Sequence, residues 1–536
     1  MLGSIHLHKG PAMRTYLILM SFMWASLGSF GQAPIIQWQL CVGGSGDDQA
    51  LDVVQRPDGG FIAVGSTTSD DGDVALNQGG IDLWVVAVSA DGVLEWERTF
   101  GGTDMDIAFS VAVSGDGGYL IAGHTMSLNG DVTGNHGFTD AWLLKIDGTG
   151  ELIWQRAYGG SAFEGAKCVR ATMDGGFVFC GFAGSVDGDV SGVYNTNNPN
   201  CNPTLCDDFW VVKTDADGEI AWQGAYGGGD GDYAHSIVQM ANGGYTAAGV
   251  STSQDGDVSD PHGTENLWVV RLDPDGILLG EHSFGGTQYQ GAEAIAPGNE
   301  GGSVVCGHTY SQDGDVIGQH GDADRWIFGM DANGSLLWQR PLGGSQEDSG
   351  TDLIRTLDGV FVASGLSSSN DGDATAHQGI GDAWVTALDS TGQLLWQYSF
   401  GGSDADGLSA VQETEDLGFI AAGGTRSNDG DVFGNHGAWD LWLVKLSAPT
   451  TGVGATTDQF DIRAFQPAGE RSIMITGRDL DRCKSFSILD ATGRVVLDGL
   501  MSAQGMSVDM GESPTGMYLL DLRIDGDRHM CKVILR

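Results

Sequence analysis

The chain has 536 residues, 71 Asp and Glu against 25 Lys and Arg, and a formal net charge of −46. Such a surface repels nucleic acid and anionic membranes and excludes both as partners, while it attracts cations. Between residues 32 and 457 there are 13 basic and 59 acidic side chains, whereas 458–536 holds 10 and 12, so the deficit belongs to one part of the molecule.

Residues 1–31 read as a secretory leader, with Arg14 as positive flank, an apolar run Tyr16–Phe30 and a small-x-small cleavage site at Ser29-Phe30-Gly31; Met13 is an alternative start. No other segment is long and apolar enough to span a membrane, so no transmembrane segment is expected in the mature chain. Next comes one strand-like run, Ile35–Leu40, carrying Trp38. From Gly43 the chain then repeats. Gly-Gly recurs at Gly43, Gly101, Gly159, Gly227, Gly285, Gly343 and Gly401, always 58 residues apart except for one interval of 68. A fixed period of this size means one supersecondary unit copied along the chain.

Each copy predicts four short antiparallel strands. In the first they are Leu51–Gln55, Phe61–Gly65, Leu83–Val88 and Val93–Phe100, with tight turns at Asp58-Gly59-Gly60 and Asp91-Gly92. The third strand carries a Trp in every copy: Trp84, Trp142, Trp210, Trp268, Trp326, Trp384 and Trp442. Runs apolar on both faces require cover on both faces, and four-stranded sheets stacked radially make a β-propeller. The array ends one strand short, at Leu441–Leu446, and begins one strand long, at Ile35–Leu40. The predicted fold is therefore all-β: residues 32–447 form a seven-bladed propeller whose N-terminal strand completes the last blade and removes both exposed edges. A linker (448–457) leads to a second module (458–536) of short strands, read as a small β-sandwich.

Strand direction places two acidic series on one face of the disc. One lies in the loop entering each copy: Asp48, Asp106, Glu164, Asp232, Asp348 and Asp406, with Gln290 in the fifth. The other is an Asp/Asn-Gly-Asp triplet between strands two and three, whose acids are Asp71, Asp73, Asp131, Asp187, Asp189, Asp255, Asp257, Asp313, Asp315, Asp371, Asp373, Asp429 and Asp431. Closely spaced carboxylates bent by a Gly suit Ca²⁺, which makes these the metal candidates and Ca²⁺ the one candidate cofactor; the competing reading is Asp side chains that bond to backbone N–H groups and lock a turn. His136, His262, His320 and His436 share one repeat position, a blade apart each, and read as loop residues rather than a shared metal site. For an exported chain, the disulfide candidates are Cys201–Cys206 in the ten-residue insertion of the third copy, Cys168–Cys180 across its hairpin and Cys483–Cys531 in the second module; the competing reading is that several are buried free thiols.

There is no nucleophile–base pair, phosphate loop or metalloprotease signature. Near-identical blades lack the asymmetric constellation that catalysis needs. The one strong asymmetry is the insertion Ser191–Cys206, beside Asp207 and Asp208. The expectation is a non-catalytic monomer that binds a glycan or protein through its acidic loop face, not an enzyme. The alternatives are an extracellular polysaccharide hydrolase or lyase, and a passive structural surface protein.

Two resemblances add to this. Gly401-Gly402-Ser403-Asp404-Ala405-Asp406, Gly424-Thr425-Arg426-Ser427 and Asp440-Leu441-Trp442-Leu443-Val444-Lys445 resemble the bacterial SBBP propeller repeat over about three quarters of the chain, which implies the fold and no particular activity. Asp490-Ala491-Thr492-Gly493-Arg494-Val495-Val496, Pro514-Thr515-Gly516-Met517-Tyr518-Leu519-Leu520 and the terminal Lys532–Arg536 resemble the type A sorting domain of the type IX secretion system, with Phe465-Gln466-Pro467-Ala468 where that family has Pro-Asn-Pro. That resemblance implies the type IX machinery as a partner, and a chain secreted from, or displayed on the outer membrane of, a Gram-negative bacterium.

Overall fold

The computed structural model describes residues 33–194, 206–374 and 377–449, and seven strand segments between 462 and 535. The leader region and most of the expected linker lie outside the described residues. Every described element is a strand or turn. The first copy forms strands Asp48–Gln55, Phe61–Thr67, Asp82–Val88 and Leu94–Phe100, hydrogen-bonded in that order. Five further sheets repeat it. The seventh joins Asp406–Glu413, Phe419–Thr425 and Asp440–Leu446 to the N-terminal strand Ile36–Val42, with Trp38 opposite Lys445 and Val42 opposite Leu441. The ring closes as the strand count predicts. The first strands of neighbouring blades pack on one another and line the axis.

The third strand is buried along its whole length, as at Asp82–Val88. All seven of its Trp rings are fully buried. Removing about 200 Å² per ring from water is worth roughly 5 kcal/mol as an upper bound. Each indole N–H also needs an acceptor, and the fourth strand supplies one. Trp84 Nε1 donates to Glu97 (2.8 Å), Trp142 to Gln155 (2.7 Å) and Trp326 to Gln339 (3.0 Å). In the closing blade, Trp442 Nε1 donates to Gln39 on the N-terminal strand (2.9 Å), so chain closure and ring burial are one event.

The hairpin between strands one and two turns through a left-handed Gly, such as Gly59 (φ 91°). In the last copy Leu417 holds that position at φ 65° and keeps the turn, its N–H donating to Thr414 O (2.8 Å). The C-terminal module forms two antiparallel sheets, one of Ile462–Phe465, Ser472–Gly477 and Met506–Asp509, the other of Val495–Leu500, Cys483–Asp490, Gly516–Ile524 and Asp527–Leu535. That register corrects the Cys483–Cys531 expectation. Cys483 faces Ile524 and Cys531 faces Leu520, with strand Gly516–Ile524 between them. The two Cα atoms are then roughly 15 Å apart by strand spacing and rise, far beyond disulfide reach.

Candidate functional site

The acidic loop face is built first from backbone demand. The residue entering each blade, an acid in six copies and Gln290 in the fifth, is fully buried. Asp48 Oδ2 accepts from the Gly44 N–H (2.8 Å) and the Ser69 hydroxyl (2.7 Å), while Oδ1 accepts from Thr67 (2.5 Å). The Gly-x-Thr-x-Ser stretch thus supplies the hydroxyls that satisfy the entering carboxylate of its own blade, as Thr125 and Ser127 also do for Asp106. The triplet clamps the same loop. Asp71 Oδ1 accepts from Ser45 N–H (2.7 Å), Asp73 Oδ2 from Gly43 N–H (3.2 Å), and Gly43 O accepts from Asp73 N–H (2.9 Å). Equivalent bonds reach Asp187, Asp255, Asp313, Asp371 and Asp429 at the first position, and Asp131, Asp189, Asp257, Asp315 and Asp431 at the third. The triplet acids act here as locks on a turn. Among the described residues, no three His, Cys, Asp or Glu side chains are grouped to hold a metal.

A third acid, at the start of the third strand, faces the next blade. A Cβ on Gly101 would lie 2.5 Å from Asp106 Oδ2 and 2.8 Å from Asp82 Oδ1. Only glycine fits between two carboxylates that close, which is why the Gly-Gly recurs. Asp82, Asp140, Asp208, Asp324, Asp382 and Asp440 each leave Oδ1 buried without a hydrogen bond. Burial, and then the neighbouring acids, push the Asp82 carboxyl up to about 6 and Asp208 to about 8. At the remaining blade interface both acids are amides, Asn266 and Gln290, which relieves the same repulsion by sequence.

The histidine position is a latch between blades. His136 Nδ1 lies 2.7 Å from Asp140 of its own blade, and His262 Nε2 3.7 Å from Asp315 of the next. His320 and His436 repeat the first contact, and Gln78 bridges directly to Asp131 (2.6 Å). Of the cysteines, Cys206 is disulfide-bonded and its expected partner Cys201 lies outside the described residues. Cys168 and Cys180 oppose each other in register, yet both are free thiols, which corrects the second disulfide expectation. A hydrogen bond from Cys180, with the Arg170 charge beside it, holds the Cys168 thiol below its usual range.

The axial lumen differs in kind. Every first strand carries a β-bulge at one place, eight residues past its Gly-Gly, as between Ala50 and Asp52 or Ala166 and Cys168. A bulge re-aims its extra residue, here into the lumen. The seven bulged residues are Leu51, Phe109, Lys167, His235, Glu293, Thr351 and Ser409, no two alike. They line a cavity of about 280 Å³ together with Asp52, Arg170 and Asp352, near the lower end of ligand-pocket volumes, roughly 300 Å³. His235 Nδ1 sits 3.0 Å from Glu293 Oε2, and His308 Nδ1 3.9 Å from Glu293 Oε1. Burial opposes the Glu293 charge, but His235, His308 and Lys167 hold its carboxyl below the usual range. Lys167 Nζ stands 3.6 Å over the Phe109 ring, and burial lowers its ammonium to about 8. Burial, then the Lys167 charge, takes His124 down to about 4. Arg170 bonds to Ser110 (3.3 Å) between Asp52 and Asp352, and burial raises Asp52 to about 6. The sequence reading missed this site because it weighed what the copies share. The usable signal was the reverse, one column that never repeats inside a strand whose neighbours do.

Exposed aromatic side chains gather at the same end. Phe138, Tyr194, Tyr289, Tyr310 and Phe433 all stand in loops of the acidic face. Phe138 stacks on Phe163 at 5.1 Å, ring planes 5° apart. The large apolar side chains exposed on the opposite turns are aliphatic or Met: Val93, Met173, Ile277 and Leu357.

No family model matches the chain. It is 28% identical over 193 residues to the regulatory protein FlaEY of Caulobacter vibrioides, a match over 35% of this chain and a fifth of that protein's length. Solved structures similar in fold include a gluconolactonase from Xanthomonas campestris (12% identity, 77% of this chain and all of that one, TM-score 0.34) and Sqt1 from Chaetomium thermophilum (10%, 78% and all, TM-score 0.38). A luciferin-regenerating enzyme is a third (8%, 79% and all, TM-score 0.31). The expectation that the chain is not an enzyme is corrected. It rested on the blades being alike, whereas the lumen is an asymmetric set of acid, base and amine. Two of these similar solved chains, the gluconolactonase and the luciferin-regenerating enzyme, carry enzyme names.

Proposed function

We propose that this chain is exported and acts outside the cell, where its axial lumen receives a glycan end from the loop face and performs acid–base chemistry on it, in the manner of a polysaccharide hydrolase or lyase. The single observation that carries this reading is the lumen's bulge column, where Lys167, His235 and Glu293 stand on three consecutive blades. A carboxylate-held imidazole is a general base, and a second group of opposite proton demand beside it permits proton transfer in both directions. The aromatic side chains exposed on the loop face present flat faces, which suits stacking on sugar rings. Export rests on the leader-like residues 1–31 and on the C-terminal module's likeness to a type IX sorting domain.

The test is a panel of neutral and acidic polysaccharides incubated with the intact chain, read by reducing-end release and by absorbance of unsaturated products. Activity that falls a hundredfold or more in His235→Ala and Glu293→Gln, with unchanged melting, supports the proposal. Full activity in both variants, or neither turnover nor binding across the panel, sinks it.

A further inference from the structure

Four lysines lie between residues 33 and 449: Lys145, Lys167, Lys213 and Lys445. Three have the same task. Lys145, Lys213 and Lys445 reach the Asp of the first hairpin turn in their own blades, Asp116 (2.8 Å), Asp174 (3.0 Å) and Asp416 (2.9 Å). Lys167 stands at the bulge, its amine over Phe109 and in the field of Glu293 one blade beyond His235. We propose that Lys167 is a carbonyl-capturing amine, and that the lumen forms a Schiff base with the aldehyde or ketone of a small polar ligand such as an open-chain sugar end. This rests on the lumen being the ligand site.

The chemistry follows from the placement. An ammonium has no lone pair to attack with; burial favours the neutral amine, against the Phe109 ring face and the Glu293 charge, which both favour the ammonium. The Lys167 amine adds to the carbonyl carbon. The C–N bond forms as the C=O π pair passes to oxygen. In the neutral tautomer whose Nδ1–H points at Glu293, Nε2 carries the lone pair that takes the proton from nitrogen. The imidazolium gives that proton to the alkoxide, which completes the carbinolamine. Once recharged from solvent it protonates the hydroxyl, the C–O bond breaks as water leaves while the nitrogen lone pair forms C=N, and the iminium's remaining N–H proton passes back to Nε2. Amine and carbonyl are consumed, one water is released, and no oxidant or reductant is required. Glu293, His235 and His124 are the titratable groups that face this amine from other blades.

The intact chain is incubated with glycolaldehyde and cyanoborohydride across pH 6–10, and the lysine adducts are mapped by mass spectrometry. Lys167 is expected to be modified at least tenfold faster at pH 7 than Lys145, Lys213 and Lys445, with a half-maximal rate near pH 8. His235→Gln should slow it about tenfold while the midpoint stays within one pH unit, and Lys167→Arg should remove that adduct alone. Modification of Lys167 no faster than the ion-paired lysines overturns the proposal in the wild-type chain, without reliance on a variant that folds. Selective capture with no glycan activity would leave the amine standing and remove the polysaccharide reading. Glycan turnover with an inert Lys167 would do the opposite.

Discussion

The interfaces between blades and the wall of the axial lumen are built from the same seven repeats and obey opposite rules. At the interfaces the acid–Gly-Gly–acid stack recurs with the same glycine N–H bond, Glu164 replaces Asp in the third copy, and one interface carries a matched pair of amides, Asn266 and Gln290. In the lumen seven bulges present seven different side chains. Repetition marks what the ring needs in order to stand. Variation at a fixed backbone position marks what the ring is free to use.

The sharpest way to break that contrast is to damage a repeated element. Trp442→Ala removes a fully buried ring and the indole bond to the N-terminal strand, and should cost about 3–5 kcal/mol in urea unfolding, with strand Ile36–Val42 losing amide-exchange protection first. A loss under 1 kcal/mol would mean that closure does not depend on this ring.

The buried acids come next. Asp208 rises from an ordinary carboxylate value when unfolded to about 8 when folded, so its contribution is present at low pH and is lost as pH climbs through about 8. Melting temperature should therefore fall between pH 5 and pH 8.5, in the direction that the net charge of −46 also dictates. Asp208→Asn keeps an acceptor for the Tyr194 N–H and should be more stable than wild type at pH 8.5 by on the order of 1 kcal/mol, with no gain at pH 4. Equal stability at both pH values would refute the carboxylate-repulsion account.

Smaller still is the strained turn. Leu417→Gly restores the residue type that its φ of 65° favours and should add about 1 kcal/mol to unfolding stability. Smallest are the lumen positions. Thr351→Ala and Ser409→Ala should shift stability by under about 0.5 kcal/mol while altering ligand affinity. If instead they destabilise as much as Trp442→Ala, the lumen is packing and not a site. Addition of a chelator should leave the melting temperature unchanged on the turn-lock reading of the triplets, and a drop of several degrees would restore the Ca²⁺ reading.

Much of the ring was legible in advance because its causes are periodic. Gly-Gly at a fixed interval, a Trp in every third strand and a strand count short at one end and long at the other specify seven blades and how they close. The triplets and the acids before them were legible as positions, though their work as backbone acceptors was visible only with the hydroxyls of the next loop in place. Cys168 and Cys180 were placed correctly in register, but a neighbouring guanidinium and a thiol hydrogen bond are not written in spacing. Asp207 and Asp208 were noticed beside the insertion, and burial, not the insertion, is what sets them apart.

By itself the sequence determined the repeat, the blade, the closure and the sign of the surface, because each follows from local pattern or composition. The meeting of the lumen side chains was decided by tertiary structure. Lys167, His235 and Glu293 are 68 and 58 residues apart along the chain. Only the closing of a circle, with a bulge turning each first strand inward, brings an amine, an imidazole and a carboxylate to one cavity.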